Sequence, residues 1–233
     1  MLAAWTSRLD PRTFWAYNAM SAPVQANTDY WEYYDLIRTT MPQNCSQDFV
    51  RIAQHVGNTI TAGDSVKIAR LKDMFGTRVL NNDDFARFLW CSPPPDDRPS
   101  LISRTITADY AAGICSRLFP ADKGYKYGTA NGCTAETANE HTGGWDYTNS
   151  TRLMWSNGEL DQWGTRGVSS KFRPGGPLQS TEEVPVFVIP GGHHCSDSFL
   201  SQGVNPGVKA VQEAEVAYVK KWVAEFYEQK NCA

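Results

Sequence analysis

TRLMWSNGELDQWG, residues 151–164, is an apolar run that passes abruptly into polar residues and glycine. A second run of the same kind, VPVFVIPGGHHCSD, occupies residues 184–197. Runs about one strand long that are apolar at consecutive positions are typical of parallel strands covered on both faces. The two runs therefore predict parallel strands, each leading into a loop that carries polar side chains.

The segments on either side extend this pattern to an α/β fold. A short helical piece at residues 1–5 precedes TFWAYNAMSAPV (13–24), which Pro23 closes and which predicts a buried strand. After the last strand, Pro206 is well placed to begin a helix in which Val219, Trp222, Val223 and Phe226 recur at helical spacing. Strands followed by a closing amphipathic helix predict an α/β architecture.

Residues 28–91 have helical rather than strand periodicity. The predicted helices are DYWEYYDLIRTTM (29–41), a stripe of Phe49, Ile52, Ala53 and Val56, a shorter stripe of Leu71, Met74 and Phe75 capped by Asp64 and Ser65, and DDFARFLWC (83–91). Three consecutive prolines then break the pattern, and residues 119–145 are rich in Gly, Asn and Thr with little periodicity, which predicts loops. We expect a helical insertion between strands.

Composition limits the class of protein. The 233 residues are 41% hydrophobic with a formal net charge of −3, and Lys and Arg are scattered, so we expect no nucleic-acid partner. No apolar run approaches the roughly 18 residues of a membrane span, which predicts a soluble chain without a membrane partner. The length suits one large domain or two small ones.

Cysteines and sequons suggest an oxidising compartment. The even number of cysteines without a CxxC pair favours disulfides over zinc or redox motifs; they are Cys45, Cys91, Cys115, Cys133, Cys195 and Cys232. Asn44 and Asn149 begin glycosylation sequons. The first residues carry no signal peptide, so we expect that the true beginning of the chain is missing.

The reactive side chains follow the two strands that open this section. Asp161 comes after the first run, and His193 and His194 come after the second on a glycine turn. An acid and then a histidine, each after its own strand, match the order of the α/β-hydrolase triad. Each feature alone has a simpler explanation: an Asp after Asn-Gly often forms a turn, and paired histidines are often surface residues. Adjacent His193, His194 and Cys195 lack the helical spacing of zinc ligands, so no metal is expected.

These motifs resemble the S28 family of serine peptidases, which includes prolyl carboxypeptidases, dipeptidyl peptidase II and fungal acid prolyl endopeptidases. NGELDQW and GGHHCSD are similar to the family's aspartate and histidine blocks, and MLAAW, SAPV and GGWDYTNSTRLMW match further segments. SSKFRPGGPLQS and IPGGHHCSD are closest to fungal members. The resemblance covers essentially the whole chain. It departs at Gln162, where proline is usual.

The resemblance implies roles for individual residues. Asp161 matches the triad acid and His194 the catalytic base, with His193 as the alternative base. Trp163 matches an aromatic residue that helps form a proline pocket, although a tryptophan packed in the core is the competing interpretation. The family's nucleophile lies in a G-x-S-Y-x-G elbow just before the helix that resembles MLAAW, and no G-x-S-x-G occurs in this sequence.

The expected fold is thus a partial α/β-hydrolase fold with an inserted helical cap domain. Residues 1–27 would be the hydrolase segment after the elbow, 28–140 the cap and its return, and 141–233 the segment carrying Asp161 and His194. The expected parent is a secreted or lysosomal/vacuolar serine peptidase that cleaves after proline without a cofactor. This chain holds the Asp and the His but not the Ser, so we expect it to be inactive by itself. The substrates of the parent would be proline-containing peptides, with the endo-, carboxy- or dipeptidyl mode undetermined. A non-catalytic binding protein and, less so, a lipase or esterase are the alternatives.

Overall fold

The chain divides into two compact units. The computed structural model describes residues 1–82, 84–85, 98–102, 118–119, 121–126 and 128–231. One unit comprises residues 1–26 and 135–233, and the other comprises residues 27–134. The helices and strands of the described residues are α1 (Leu2–Leu9), β1 (Tyr17–Met20), α2 (Trp31–Thr40), α3 (Gln43–Thr61), α4 (Ser65–Met74), α5 (Ala135–Thr142), β2 (Leu153–Gly158), β3 (Val186–Ile189) and α6 (Pro206–Asn231).

The first unit is built on a small parallel sheet in the order β1-β2-β3. Tyr17 of β1 is opposite Leu153 of β2, and Trp155 of β2 is opposite Val186 of β3. All six residues of β2 are buried. The α/β class, the parallel pairing and the strand within residues 13–24 are confirmed.

The sheet is not covered as evenly as its sequence predicts. β2 has the two buried faces expected of a central parallel strand, but Val188 of β3 is 52% exposed. Among the described residues β3 pairs with β2 alone, so it is an edge strand and its second face is only partly covered. The prediction of full burial is wrong for β3.

Helix α6 begins at Pro206 as predicted, but its buried face differs from the predicted stripe. Trp222 is buried, whereas Val219, Val223 and Phe226 remain 38–49% exposed. The remaining buried positions of α6 lie earlier in the helix, and they are Val208, Val211 and Glu215.

In the described residues of the second unit, helices α2, α3 and α4 follow one another, and a small core lies between α3 and α4. Val56, Leu71 and Phe85 form that core, with Ile60 and Leu80 against it. Asp64 caps α4 as predicted, accepting hydrogen bonds from the backbone N–H groups of Val66 and Lys67.

The predicted stripes of this unit are only half right. Ala53 and Val56 are buried, but Phe49 and Ile52 are 53% and 51% exposed. Leu71 is buried, but Met74 is 75% exposed. The buried face of each helix is therefore narrower than its apolar residues suggest. The fourth predicted helix (83–91) lies almost entirely outside the described residues.

The structure has a helix, α5, where the sequence predicts a loop. α5 has no buried residue, and its sequence AETANEHT has no apolar stripe that would reveal its period. Within the first unit it is held to the end of the N-terminal segment through Asn139, whose side chain accepts from Ala26 N at 2.7 Å and donates to Ala26 O at 2.9 Å. Polar anchoring of this kind leaves no signal in hydrophobic periodicity.

The three cysteines that the structure describes, Cys45, Cys133 and Cys195, carry free thiols, so the expected disulfides do not form among them. Cys91, Cys115 and Cys232 lie outside the described residues. Over the described part of the chain, no helix has both the length and the apolar character that crossing a bilayer requires.

Candidate active site

Two loops meet at the carboxyl ends of β2 and β3. The backbone N–H of Leu160 donates to Gly192 O at 2.9 Å, and that of Glu159 donates to Ile189 O at 2.9 Å. Gly158 permits this approach, because a Cβ there would lie 2.4 Å from Gly192 O. The tight contact brings the aspartate loop and the histidine turn together.

Asp161 and His194 are in direct contact at this junction. Nδ1 of His194 lies 3.0 Å from Oδ1 and 3.2 Å from Oδ2 of Asp161. The Asp161 side chain is fully buried, while that of His194 is 45% exposed. A buried carboxylate thus holds one edge of an imidazole that solvent can still reach.

The Asp161 carboxylate is fixed from other sides as well. The Trp163 backbone N–H donates to Oδ1 at 3.0 Å, and Asn157 Nδ2 donates to Oδ2 at 3.5 Å. Ser169 donates to Asn157 Oδ1 at 3.1 Å, which orients the amide so that its NH₂ faces Asp161. These hydrogen bonds hold the carboxylate in the orientation that meets His194.

Asn157 is a functional candidate that sequence reasoning missed. It is 2% exposed and stands at the end of β2. The Asn-Gly dipeptide predicts a turn, and this explanation of Asn157 leaves no reason to expect a role for its side chain. A polar residue near the end of an otherwise apolar strand is the feature of the sequence that could have indicated one.

His193 has a different environment from His194. It is exposed, and its backbone N–H donates to Ser196 Oγ at 2.7 Å while its carbonyl accepts from the same hydroxyl. Of the two histidines, the structure brings His194 to Asp161.

Trp163 lies beside the imidazole at the surface. It is 39% exposed, and its ring centroid is 6.3 Å from that of His194. The competing interpretation of Trp163 as a core residue is wrong, since a core tryptophan would be shielded from solvent.

Cys195 follows His194 in a left-handed conformation, with φ of 54°. Its backbone N–H donates to Ser21 Oγ at 2.8 Å, which ties the histidine turn to the end of β1. Burial, the largest influence, raises the pKa of the thiol, and the nearby Asp197 and Asp161 raise it further. The thiol therefore stays protonated at neutral pH and is a poor nucleophile.

The structure also bears on the expectations for metal and glycosylation sites. Within the described part of the chain, no three His, Cys, Asp or Glu side chains cluster as metal ligands would. Both sequon asparagines are exposed: Asn149 lies in a turn before β2, and Asn44 in the first turn of α3. Ser46, the third residue of the Asn44 sequon, is buried and donates to Arg38 O.

Comparison with known proteins gives one family. The family model described as Serine carboxypeptidase S28 matches residues 1–69. The serine protease vicPb of Bipolaris victoriae is 25% identical over 99% of this chain and 64% of its own length. The lysosomal Pro-X carboxypeptidase of Bos taurus is 34% identical over 36% of this chain and 16% of its own length.

A probable extracellular serine carboxypeptidase of Arthroderma benhamiae is 39% identical over 34% of this chain and 11% of its own length. The chain thus spans 64% of the length of vicPb, a curated relative that aligns with 99% of this chain. The family match and these relatives agree with one another, and the chain is similar to the S28 family of serine peptidases.

Proposed function

We propose that Asp161 and His194 are the acid and the base of a serine-type peptidase. The observation that carries the proposal is the 3.0 Å contact between Asp161 Oδ1 and His194 Nδ1. An Nδ1–H that donates to the carboxylate leaves Nε2 unprotonated, so Nε2 can accept the nucleophile's proton. The buried carboxylate would then stabilise the imidazolium and keep its ring in place.

The reaction would be acyl transfer in two steps. A serine oxygen attacks the scissile carbonyl as His194 takes its proton, and His194 returns that proton to the leaving amine. Water then hydrolyses the acyl ester with the same base. The nucleophile is not identified within the 233 residues, which contain no G-x-S-x-G.

The start of α1 lies near the histidine turn. The Met1 end of α1 is close enough to the Cys195 thiol for an electrostatic interaction between them. This proximity supports a nucleophile on the N-terminal side of α1. It is the side on which S28 members, by resemblance, carry their nucleophile.

Proline is the proposed residue on the acyl side of the bond. Trp163 offers an exposed indole 6.3 Å from the His194 ring, where the ring of a proline could pack. One relative is named for Pro-X carboxypeptidase activity, which supports the same substrate class.

The unit at residues 27–134 is proposed to be a helical cap inserted into an α/β-hydrolase fold. Its described helices α2 to α4 interrupt a chain whose β1 and β2 are direct neighbours in the sheet. The proposed limits remain 1–27, 28–140 and 141–233. A cap of this kind would decide whether the enzyme acts as an endo-, carboxy- or dipeptidyl peptidase.

A secreted or lysosomal/vacuolar compartment is proposed for the parent protein. The relatives include one lysosomal and one extracellular carboxypeptidase by name, and the two sequons are exposed. Glycosylation at Asn149 and Asn44, and disulfides involving the cysteines outside the described residues, belong to the same proposal.

The test is peptide hydrolysis by variants, in this chain and in the chain preceded by the upstream sequence of its gene. Substrates carry proline or alanine before the scissile bond. Asp161→Asn and His194→Ala should each lower kcat about 10³-fold or more with little change in KM, because both act on the transition state. Trp163→Ala should lower kcat/KM about 10- to 100-fold for proline and much less for alanine.

His193→Ala is the matched control, since it removes the neighbouring imidazole and should leave kcat close to the parental value. Near-parental activity of Asp161→Asn or His194→Ala would contradict the assignment of these residues as the acid and the base. Equal effects of Trp163→Ala on both substrates would contradict the proposed proline pocket but would not contradict the proposed peptidase activity.

A binding role without catalysis is the second candidate. Retained peptide binding with no hydrolysis in either form of the protein would support it. An esterase on the same fold is a third, weaker candidate, which ester substrates in the same assay would reveal.

A further inference from the structure

A second polar cluster lies beneath the histidine turn. Its members are Asn18 of β1, Ser156 of β2, Asp197 of the turn and Glu215 of α6, so four separate segments each contribute one side chain. Asp197 and Glu215 are each only 7% exposed, and Ser156 is fully buried. The active-site chemistry described above uses none of them.

The cluster joins the turn to the sheet and to α6. The Ser156 hydroxyl donates a short hydrogen bond to Asp197 Oδ2. Gln212 of α6 donates to the backbone oxygens of Asp197 and Phe199 at 3.0 and 2.9 Å. Asp197 is three residues from His194, and Ser156 is five residues from Asp161, so the cluster is close in sequence to both proposed catalytic groups.

The two carboxyl groups lack a compensating cation. In the described part of the chain, no Lys, Arg or His side chain forms an ion pair with Asp197 or Glu215. Oδ1 of Asp197 and Oε1 of Glu215 are buried without a hydrogen-bond partner, and so is Oδ1 of Asn18. Hydrogen bonds from Ser156 and Asn18 act on Glu215, and so does the charge of Asp197, yet these two carboxyl oxygens still lack the donor that buried acceptors need.

Burial and the neighbouring charge make a proton the natural donor. Desolvation, the largest influence, and the charge of Asp197 raise the pKa of Glu215 to about 7. The titratable groups facing the pair are the two carboxyls themselves and the Cys195 thiol beside Asp197. On the outer side of α6, Lys209 and Glu213 pair with each other and are exposed.

We propose that a proton shared by Asp197 and Glu215 fastens the turn that carries His194 to α6, so that these two carboxyls are positioning residues for the imidazole. The inference rests on the proposed role of His194 and adds a group that acts through it. When the proton is lost, the two buried carboxylates repel each other. The turn of Ser196–Ser198, which carries Asp197, would then move away from α6.

The sign of the pH dependence follows from the raised pKa. The folded chain holds a proton on Glu215 that the unfolded chain releases near its ordinary value of 4.5. The stabilisation is therefore complete below that value and is lost as the pH rises through about 7.

The experiment uses the 233-residue chain and needs no substrate. Urea unfolding and the low-field proton NMR signal of the His194 Nδ1–H are followed from about pH 5 to pH 8. In the parental chain the unfolding equilibrium constant should rise at least about tenfold over this range and the NMR signal should fade. Glu215→Gln, which keeps the shape and supplies an N–H donor, should flatten the unfolding profile and retain the signal at the upper pH.

Glu213→Gln is the matched control, two residues away on the exposed side of α6, and should follow the parental profile. Asp197→Asn should flatten the profile in the same way, which keeps the test valid if one variant folds poorly. Equal pH profiles in the parental chain and both cluster variants would overturn the inference. A parental stability that rises with pH would also overturn it, because that is the behaviour of a pair holding a cation.

The same measurements separate this inference from the proposed function. A flattened profile in Glu215→Gln together with no peptide hydrolysis would support the shared proton and contradict the proposed peptidase activity. Hydrolysis that depends on His194, with no effect of the Glu215 and Asp197 variants on the pH profile, would support the peptidase activity and contradict the shared proton.

Discussion

Asp161 can act as the proposed triad acid because neighbouring groups hold its carboxylate in place. Asn157 is one of these neighbours, and its contribution is visible only in the folded chain. The Asn157 amide donates to the carboxylate while Ser169 fixes its orientation. A buried carboxylate that loses a donor keeps its desolvation cost without the compensation. Residues that hold the acid should therefore matter almost as much as those that touch substrate.

We predict that Asn157→Ala, in the chain preceded by its upstream sequence, lowers kcat about tenfold with little change in KM; it should also cost about 1 to 3 kcal/mol of unfolding free energy. Peptide hydrolysis and urea unfolding measure the two effects. Ser169→Ala, which removes only the orienting hydroxyl, should have a smaller effect on both. A larger loss in Ser169→Ala than in Asn157→Ala would contradict this account.

At the scale of elements, the site depends on how closely two loops approach. β2 ends at Gly158, and a Cβ there would lie 2.4 Å from Gly192 O and 2.5 Å from His193 O. Both neighbours are backbone atoms, which cannot rotate away as a flexible side chain would. The aspartate loop and the histidine turn would have to separate.

Gly158→Ala is accordingly expected to cost about 1 to 3 kcal/mol of stability and to weaken the low-field Nδ1–H signal of His194. Thermal unfolding and proton NMR provide the measurements. Gly164→Ala is the matched control in the same loop, because its Cβ would meet the nearest atom at an ordinary 3.6 Å. Equal destabilisation by the two variants would show that crowding at Gly158 is not the cause.

At the scale of the whole molecule, the sheet has an edge with apolar surroundings. In the described part of the chain, β1 pairs only with β2. Beside β1 lies a cleft of about 340 Å³ lined by Phe14, Trp15, Met154, Val219 and Val223, among others. Phe14 is 61% exposed. An unpaired strand edge next to exposed apolar side chains favours association with another chain.

The 233-residue chain should therefore self-associate in a concentration-dependent manner, which sedimentation velocity measures. Val223→Lys places a charge in the cleft and should shift the equilibrium toward the monomer. Val204→Lys, at an exposed position outside the cleft, is the control and should not. A parental chain that stays monomeric over the whole concentration range would rule out this role of the edge.

Much of the fold could be predicted from local sequence. The apolar runs around Trp155 and Val186 predict buried strands because apolar side chains leave water wherever a sheet has two covered faces. Pro206 and Asp64 mark helix starts because their chemistry suits the first turn. The helix at Ala135–Thr142 could not be found in this way, since polar hydrogen bonds rather than an apolar face hold it.

The α/β class and the order of an acid and a histidine after two separate strands can be predicted from sequence, because both are properties of short stretches of chain. Three further features appear only in the folded chain: His194 rather than His193 meets Asp161, Asn157 supports the acid, and Asp197 acts on Glu215. Those contacts join residues distant in the chain or depend on the direction of a side chain. Local composition and periodicity carry no information about either.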